Sequence, residues 1–582
     1  MAEQLSLTHE RVDDIPLLIG LMQRLRLPEL LDRHLGNHGL HQGFSNGWLA
    51  TIWLAFILSE GDHRKSTVQE WAQRHRLTIE RFVGLPLRPV EFNDDRLEIV
   101  LRRLAETPAW EALEAQLWPA TTQVYPLEMT GVRLDATTSY GYHASVPDGL
   151  MQLGHSKDHR PDLPQLKVMA AAVEGSGYWL GCDVLPGHRA DDPLYLPLIA
   201  RVRATLRQLG VLYTGDSKMA ALATRADIVR HEDYYLTVLP RTGENKHVID
   251  AGIAAVVEGD QPATLLFAPP DRPGERPRLL GYGYERERPL VAAVDGECVE
   301  WQERVQVIRS VELARSQGVA LETRLRKAEA ALWALTPPPG RGKRQFQEEA
   351  ALQRAVEEVL ARHQVTGLLS VGFARQEATI SRFVGRGRGG PERPTHTEVK
   401  VRYGITQVER EEAAITAQGH RLGWRVQVTN RPVGRLSLQE AVIHYRGGSC
   451  LEGGGFHRLK DRPLGIRPLF VQRDDQIVGL TRLLTLGLRV VTLLEVQVRR
   501  RLAEAGETLA GLNVGQPRQE TAQPTATRLL HALVRAEITL TQVEIGEQKH
   551  WHLTPLPELL TRVLHFLGLS PALYTRLAEN ST

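Results

Sequence analysis

The sequence predicts an α/β protein that begins with an all-helical N-terminal domain. Three observations support this fold class. Residues 1–118 repeat apolar positions at three-and-four spacing, as in IPLLIGLMQRLRLPELLDRHL, which is typical of amphipathic helices. From about Met129 the pattern changes to apolar runs separated by turn residues, such as MTGVRLDATTSYGYH and QLKVMAAAVEG, which predict strands. Helical and strand-like segments alternate after that point, which indicates a sheet covered by helices.

The N-terminal domain, residues 1–118, contains the segment STVQEWA, whose serine and threonine offer a helix start. A small helical domain of this kind suits DNA binding. The pattern alone favours a helical protein-interaction domain equally.

Residues 119–240 carry the first part of the predicted sheet. Three neighbouring strand-like runs are followed by a helix over 193–208 and then by the strands VLYTGDS and YYLTVLP. This is the element order of a ribonuclease-H-like sheet. Several other α/β folds give a similar string, and the order by itself leaves them open.

Residues 241–415 are predicted to form an insertion domain. Strand-like pieces surround two helical stretches, Val311–Leu335 and 346–363, and the basic sequence PPPGRGKR separates them. The strand WRVQVTN then returns to the sheet within 416–500, the second part of the core. Residues 501–582 form a C-terminal region with a predicted hairpin, EITLTQVEIGEQKHWHLT, suited to dimerisation or DNA contact.

Composition sets broad limits on the function. A chain of 582 residues predicts three or four domains, and a net charge of +2 does not by itself indicate a nucleic-acid-binding protein. The three cysteines have no metal-ligand spacing, which argues against a zinc site or a disulfide scaffold. The apolar run over 477–498 contains Arg482, Arg489 and Glu495, so we interpret it as a buried helix and expect a cytoplasmic protein.

Three carboxylates suggest a chemistry. Asp135 ends the strand VRLDATT, Asp216 ends the strand LYTGDSK, and Glu452 follows on a predicted helix. Either aspartate alone is better explained as a cap of the next turn. Together, three carboxylates suit two Mg²⁺ ions that activate a water and stabilise the leaving oxygen of a phosphodiester.

The chain resembles the DDE transposases of bacterial insertion sequences, in the group with a β-rich insertion before the final glutamate. The matching motifs run in order through the chain and end in YRGGSCLEGGGFHRLKDRPLGIRPLF; the others are FNDDRL, VRLDATTSYGYH, GHSKDHRPDLPQLKVMAA, YTGDSKMAA and GWRVQVTN. The resemblance implies a ribonuclease-H-like core that cleaves and joins DNA ends, with Asp135, Asp216 and Glu452 as catalytic metal ligands. It also implies Mg²⁺, with Mn²⁺ as a substitute.

The partners implied by the resemblance are double-stranded DNA, both transposon ends and target, and a second copy of the chain in a homodimer on DNA. No membrane partner is expected, and the place of action is the bacterial cytoplasm, at the nucleoid. The reaction is expected to follow a cut-and-paste course. Two alternatives stay open: a metal-dependent nuclease of the same fold, and a catalytically inactive DNA-binding protein derived from a transposase.

The third carboxylate departs from the family pattern of Tyr, Arg, Glu and Lys on one helix. Tyr445 and Glu452 match, but Gly448 stands at the arginine position, and Lys460 follows Glu452 by eight residues where the pattern has seven. One interpretation is a local bulge in Gly453–Gly455 that absorbs the extra residue. The other is a damaged copy, and anchoring on Lys460 would move the catalytic position to Gly453.

Further residues are predicted to contact DNA. Tyr445, Arg446 and Lys460 belong to the irregular helix, and the other candidates lie in two basic segments: His155, Lys157, Arg160, Arg386 and Arg388. Packing is the alternative for the tyrosine, and a solvated charged loop is the alternative for the basic residues.

Overall fold

The computed structural model describes residues 5–270, 274–340, 342–343, 345–386, 390–448, 451–461, 464–546 and 548–579. In this part of the chain the protein is a mixed α/β structure built around one large mixed sheet.

The strands are β1 (Leu5–Arg11), β2 (Val132–Tyr140), β3 (Gln165–Val173), β4 (Trp179–Pro186), β5 (Leu212–Thr214), β6 (Tyr234–Val238), β7 (Thr264–Ala268), β8 (Arg278–Val294), β9 (Glu297–Ser310), β10 (Leu369–Phe383), β11 (Thr395–Arg410), β12 (Trp424–Thr429), β13 (Thr539–Ile545) and β14 (Gln548–Leu553).

The α-helices are α1 (Ile15–Arg24), α2 (Leu27–Leu35), α3 (Asn46–Glu60), α4 (Lys65–Arg74), α5 (Arg76–Val83), α6 (Asp94–Ala105), α7 (Thr107–Val124), α8 (Tyr195–Leu206), α9 (Leu222–Arg230), α10 (Gly243–Val257), α11 (Val311–Leu335), α12 (Glu349–Arg362), α13 (Glu412–His420), α14 (Leu438–Arg446), α15 (His457–Lys460), α16 (Asp474–Ala505), α17 (Ala526–Val534), α18 (Glu558–Phe566) and α19 (Ala572–Thr575). A π-helical turn spans Glu452–Phe456, and 3₁₀ turns span Asp192–Leu194 and Arg576–Ala578.

The main sheet has nine strands in the order β4-β3-β2-β5-β6-β12-β9-β8-β7. The strands β2, β3 and β4 are mutually antiparallel neighbours, whereas β5 runs parallel to β2 and β6 runs parallel to β5. All nine residues of β3 are buried, which fits a strand in a sheet covered on both faces. The short β5 ends level with Arg133 near the start of β2, and β2 continues beyond it to Tyr140.

The segment 241–415 contributes to two parts of the structure. Its strands β7, β8 and β9 continue the main sheet through β12, which pairs antiparallel with both β6 and β9. Its helices α11 and α12 and the hairpin β10-β11 enclose a second apolar cluster that includes Leu325, Leu332 and Leu352. The strand WRVQVTN, now β12, therefore returns to the sheet next to β6.

The prediction of an all-helical N-terminal domain is wrong for its first residues. Leu5–Arg11 forms β1, which pairs antiparallel with β13 of the C-terminal hairpin. A two-stranded hairpin is only marginally stable by itself, and a third strand from the N-terminal end of the same chain stabilises it. The pairing is long-range, and a local helical pattern cannot reveal it.

The helix α16 is long and apolar enough to span a membrane by length and composition, but 94% of its most apolar window is buried inside the structure. Its charged side chains have internal partners. Arg489 donates to Glu114 of α7 at 2.5 Å, and Arg482 donates to the carbonyl oxygen of Leu104 at 2.9 Å. This confirms the interpretation of 477–498 as a buried core helix, onto which the N-terminal helices pack.

Candidate active site

Asp135 and Asp216 come together where β5 ends beside the first half of β2. Asp135 is the fourth of the nine residues of β2, so the expectation that it ends its strand is wrong, whereas Asp216 lies two residues beyond β5. The parallel register of β2 and β5 pairs Arg133 with Thr214, so that two residues further on Asp135 stands level with Asp216. Both aspartates line one cavity of about 480 Å³. Glu452 lines the same cavity, together with its neighbour Leu451.

Glu452 is the first residue of the π-helical turn Glu452–Phe456, which runs directly into α15. A π turn takes one more residue than an α turn, so the extra residue between Glu452 and Lys460 is accommodated here as a local bulge. Gly455 has a packing reason: a Cβ there would stand 2.8 Å from Nε1 of Trp179. At Gly453 a Cβ would meet nothing within 4 Å, so close approach does not require a glycine at that position.

The two aspartates have the donor chemistry of a divalent-cation site. Burial raises the pKa of Asp135, and the charge of Asp216 raises it further, whereas Lys157 lowers it. A cation between the two carboxylates would relieve their repulsion. Among the described residues, however, no three Asp, Glu, His or Cys side chains converge closely enough to hold one ion. The aspartates thus fit a metal as a pair, while Glu452 faces them across the cavity.

Lys157 neutralises Asp135 directly. Its Nζ lies 3.3 Å from Oδ1 of Asp135 and 3.9 Å from Oδ2 of Asp191, and it also donates to the carbonyl oxygen of Ala136. Its backbone N–H donates to Oγ1 of Thr138 at 3.0 Å, which fixes the loop over the end of β2. Lys157 was predicted to contact DNA; here it is the counter-ion of the first aspartate.

Tyr195, which the sequence pattern did not single out, orients Asp216. Its hydroxyl donates to Oδ1 of Asp216 at 2.8 Å, and the backbone N–H of Lys218 donates to the same oxygen at 2.8 Å. Tyr195 is only 1% exposed, and burial together with the nearby carboxylates raises its pKa well above the usual range. The phenol therefore remains a donor, and Oδ2 of Asp216 is left for other partners.

The substitution Tyr195→Phe is expected to lower the affinity for Mg²⁺ or the cleavage rate by about 10- to 100-fold, because residues that orient a metal ligand affect metal affinity or activity to that extent. The measurement is DNA cleavage as a function of Mg²⁺ concentration. Tyr178→Phe is a matched control, since Tyr178 is also buried and its hydroxyl hydrogen-bonds to Thr121 at 3.0 Å, its one partner among the described residues. Equal Mg²⁺ curves for the two variants would contradict this role.

Arg133 ties β2 to the end of α14. Its guanidinium donates to the carbonyl oxygens of His444 at 2.7 Å and Tyr445 at 3.3 Å and pairs with Glu174 at 2.7 Å. A Cβ on Gly448 would stand 3.4 Å from Nη1 of Arg133. An arginine from β2 therefore occupies the neighbourhood of the position where the family pattern has an arginine.

Of the predicted DNA contacts, Tyr445 and Arg446 line the cavity. Burial raises the pKa of Tyr445, and Arg446 is held by Oγ of Ser310 at 2.8 Å. Lys460 does not line this cavity, because its Nζ pairs with Asp158 at 2.7 Å. Burial lowers the pKa of Lys460, and Asp158 opposes that shift.

Among the described residues, the other predicted contacts do not line this cavity. His155 is exposed, and Arg160 pairs with Asp162 at 2.7 Å and stands over the ring of Tyr140 at 5.3 Å. Arg386 is exposed beyond the end of β10. Arg388 lies outside the described residues.

Comparison with known proteins gives little. No family model matches the chain, and no curated protein matches it. Among solved structures, the chain is similar to the piggyBac transposase in a synaptic complex with hairpin DNA, with a TM-score of 0.24 and 10% identity. The match covers 53% of this chain and 61% of that one, so the chain spans about three fifths of the length of its structural neighbour. Similarity at this level does not support a conclusion on fold or function.

Proposed function

We propose that this chain is a DDE-type transposase of a bacterial insertion sequence, which cleaves and rejoins DNA ends on a ribonuclease-H-like core. The observation that carries the proposal is the pair Asp135 and Asp216, one within β2 and the other just beyond its parallel neighbour β5, which face Glu452 across one cavity. The order β4-β3-β2-β5-β6, antiparallel in its first three strands and parallel in the next two, supports the ribonuclease-H-like assignment.

Asp135 and Asp216 would hold Mg²⁺ or Mn²⁺ as a pair, with Glu452 as the further ligand from across the cavity, and the metal would supply activation of the attacking oxygen and stabilisation of the leaving oxygen. The remaining work is done by protein groups. Tyr195 holds Oδ1 of Asp216, so that one carboxylate oxygen faces a fixed direction. Arg425 and Arg446 line the cavity and offer positive charge to a phosphodiester.

The partners in this proposal are double-stranded transposon ends and target DNA, bound by a homodimer in the cytoplasm. The helical region 1–118 is assigned to DNA binding and 501–582 to dimerisation or DNA contact. The segments 119–240 and 416–500 form the core around the insertion 241–415. The π turn at Glu452 favours an active protein in which the extra residue is tolerated.

A second candidate is a catalytically inactive, transposase-derived DNA-binding protein. Two observations favour it. The three carboxylates do not converge on one ion among the described residues, and Lys157 already neutralises Asp135.

The test is a cleavage and strand-transfer assay with the DNA that flanks the gene on each side, in Mg²⁺ and in Mn²⁺. A transposase cleaves at the ends and joins them to a second duplex. Cleavage without joining would indicate a nuclease. Binding without cleavage would indicate the inactive candidate.

A further inference from the structure

A second groove adjoins the carboxylate cavity. It measures about 400 Å³ and lies between β8, β12, the start of α11 and α14. The two cavities share three lining residues, Arg425, Tyr445 and Arg446. A linear polymer bound at the carboxylates can therefore continue into this groove along the wall that the two cavities share.

The groove gathers three arginines from three different elements. Arg278 comes from β8, Arg425 from β12 and Arg446 from α14. In the part of the chain that the structure describes, none of the three arginines forms an ion pair, since no carboxylate oxygen lies within 4.0 Å of a guanidinium nitrogen. Burial lowers the pKa of Arg446, and the charges of Arg278 and Arg425 lower it further. Three mutually repelling cations in a concave site favour an anionic ligand.

The groove is preorganised to receive an anion. Arg446 donates to Oγ of Ser310 at 2.8 Å and to the carbonyl oxygen of Leu280 at 3.2 Å, which fixes its guanidinium. Ser310 also caps α11 by accepting from the N–H of Leu313 at 3.2 Å. The positive end of this 25-residue helix thus opens into the same groove.

Two further side chains complete the lining. Gln427 is 4% exposed, and its Oε1 has no hydrogen-bond partner among the described residues. An amide at this place offers a neutral hydrogen-bonding group to a ligand. Glu312 is the acid in the lining; its side chain is 67% exposed and lies 3.5 Å from Arg315. The local charge therefore stays positive.

We propose that the groove of Arg278, Arg425 and Arg446 binds a backbone phosphate of the DNA strand whose neighbouring phosphodiester lies at the carboxylates. This inference rests on the proposed function. Tyr445 lies on the shared wall, where the strand passes from one cavity to the other. The groove holds the strand by its charge and reads no base sequence, because phosphate contacts position DNA without specifying it.

The test measures binding of a short mixed-sequence DNA duplex by fluorescence anisotropy over a range of salt concentrations, without divalent metal. Arg278→Ala and Arg425→Ala are each expected to raise Kd about tenfold, since a charge-assisted contact of this size is lost. The slope of log K against log salt is expected to fall by about 0.9 for each lost phosphate contact. Arg326→Ala is the control. Arg326 lies on α11 and is 66% exposed, and its substitution removes one positive charge at a place outside the groove.

Loss of binding confined to the Arg278 and Arg425 variants, with the reduced salt slope, supports the inference. If both variants match Arg326→Ala in Kd and slope, the inference is wrong, whatever the cleavage assay gives. If the unaltered protein binds through these arginines but does not cleave its ends, the proposed catalysis fails while the phosphate groove stands. If the unaltered protein does not bind DNA, both fail.

Discussion

Asp135→Ala and Asp216→Ala are each expected to abolish Mg²⁺-dependent cleavage while leaving DNA binding close to that of the unaltered protein. The carboxylates serve the metal, whereas affinity for DNA comes mainly from basic contacts to phosphate. Metal-ion stabilisation supplies several kcal/mol, so the rate is expected to fall by at least roughly 10³-fold. Cleavage of end-labelled DNA on a gel, with anisotropy for binding, measures both properties.

Asp94→Ala serves as the control for this pair. Its carboxylate is 67% exposed and pairs with Lys65 at 3.0 Å on the N-terminal helices. It is expected to cleave normally. Wild-type cleavage by both Asp135→Ala and Asp216→Ala would show that the two-metal chemistry is wrong.

Glu114→Ala is expected to produce the largest loss of stability. Glu114 and Arg489 are each 4% exposed and pair at 2.5 Å between α7 and α16. Removing one partner of a buried pair leaves an uncompensated charge and costs about 3–5 kcal/mol. Arg489 also donates to the carbonyl oxygen of Trp179, the residue against which Gly455 packs. The substitution is therefore also expected to disturb the packing of Trp179 against the π turn.

Urea denaturation followed by tryptophan fluorescence measures this effect. Glu111→Ala is the matched control, because Glu111 is 40% exposed, pairs with Arg201 at 2.9 Å and is expected to cost less than about 1 kcal/mol. The double variant Glu114→Met with Arg489→Leu is expected to regain most of the stability, since no charge is left buried. Equal unfolding curves for Glu114→Ala and Glu111→Ala would contradict the account.

Much of the core could be predicted from local pattern. The apolar runs before Asp135 and Asp216 belong to strands, although β2 continues past Asp135 to Tyr140. The two aspartates meet because β5 is the parallel neighbour of β2. The spacing of Glu452 and Lys460 predicted a local bulge, and a π turn spans that place. These features depend on periodicity and spacing along short segments, which the sequence displays directly.

The rest depends on contacts between distant residues. Tyr195 reaches Asp216 from an ordinary amphipathic helix, and nothing in its neighbours marks that role. Lys460 pairs with Asp158, roughly three hundred residues earlier in the chain, and so does not line the cavity. Arg425 follows a tryptophan at the start of a strand, where pattern predicts only a solvated charge.

The central claim is that Asp135, Asp216 and Glu452 act as one catalytic unit, and Glu452→Gln tests it most directly. Glu440, the nearest glutamate upstream of Glu452, is engaged in a capping box with Ser437 at the start of α14 and does not line the cavity. A neutral amide is a poor Mg²⁺ ligand, so Glu452→Gln is expected to lose cleavage as completely as Asp216→Ala while binding DNA normally. Cleavage by Glu452→Gln at the rate of the unaltered protein would contradict the account.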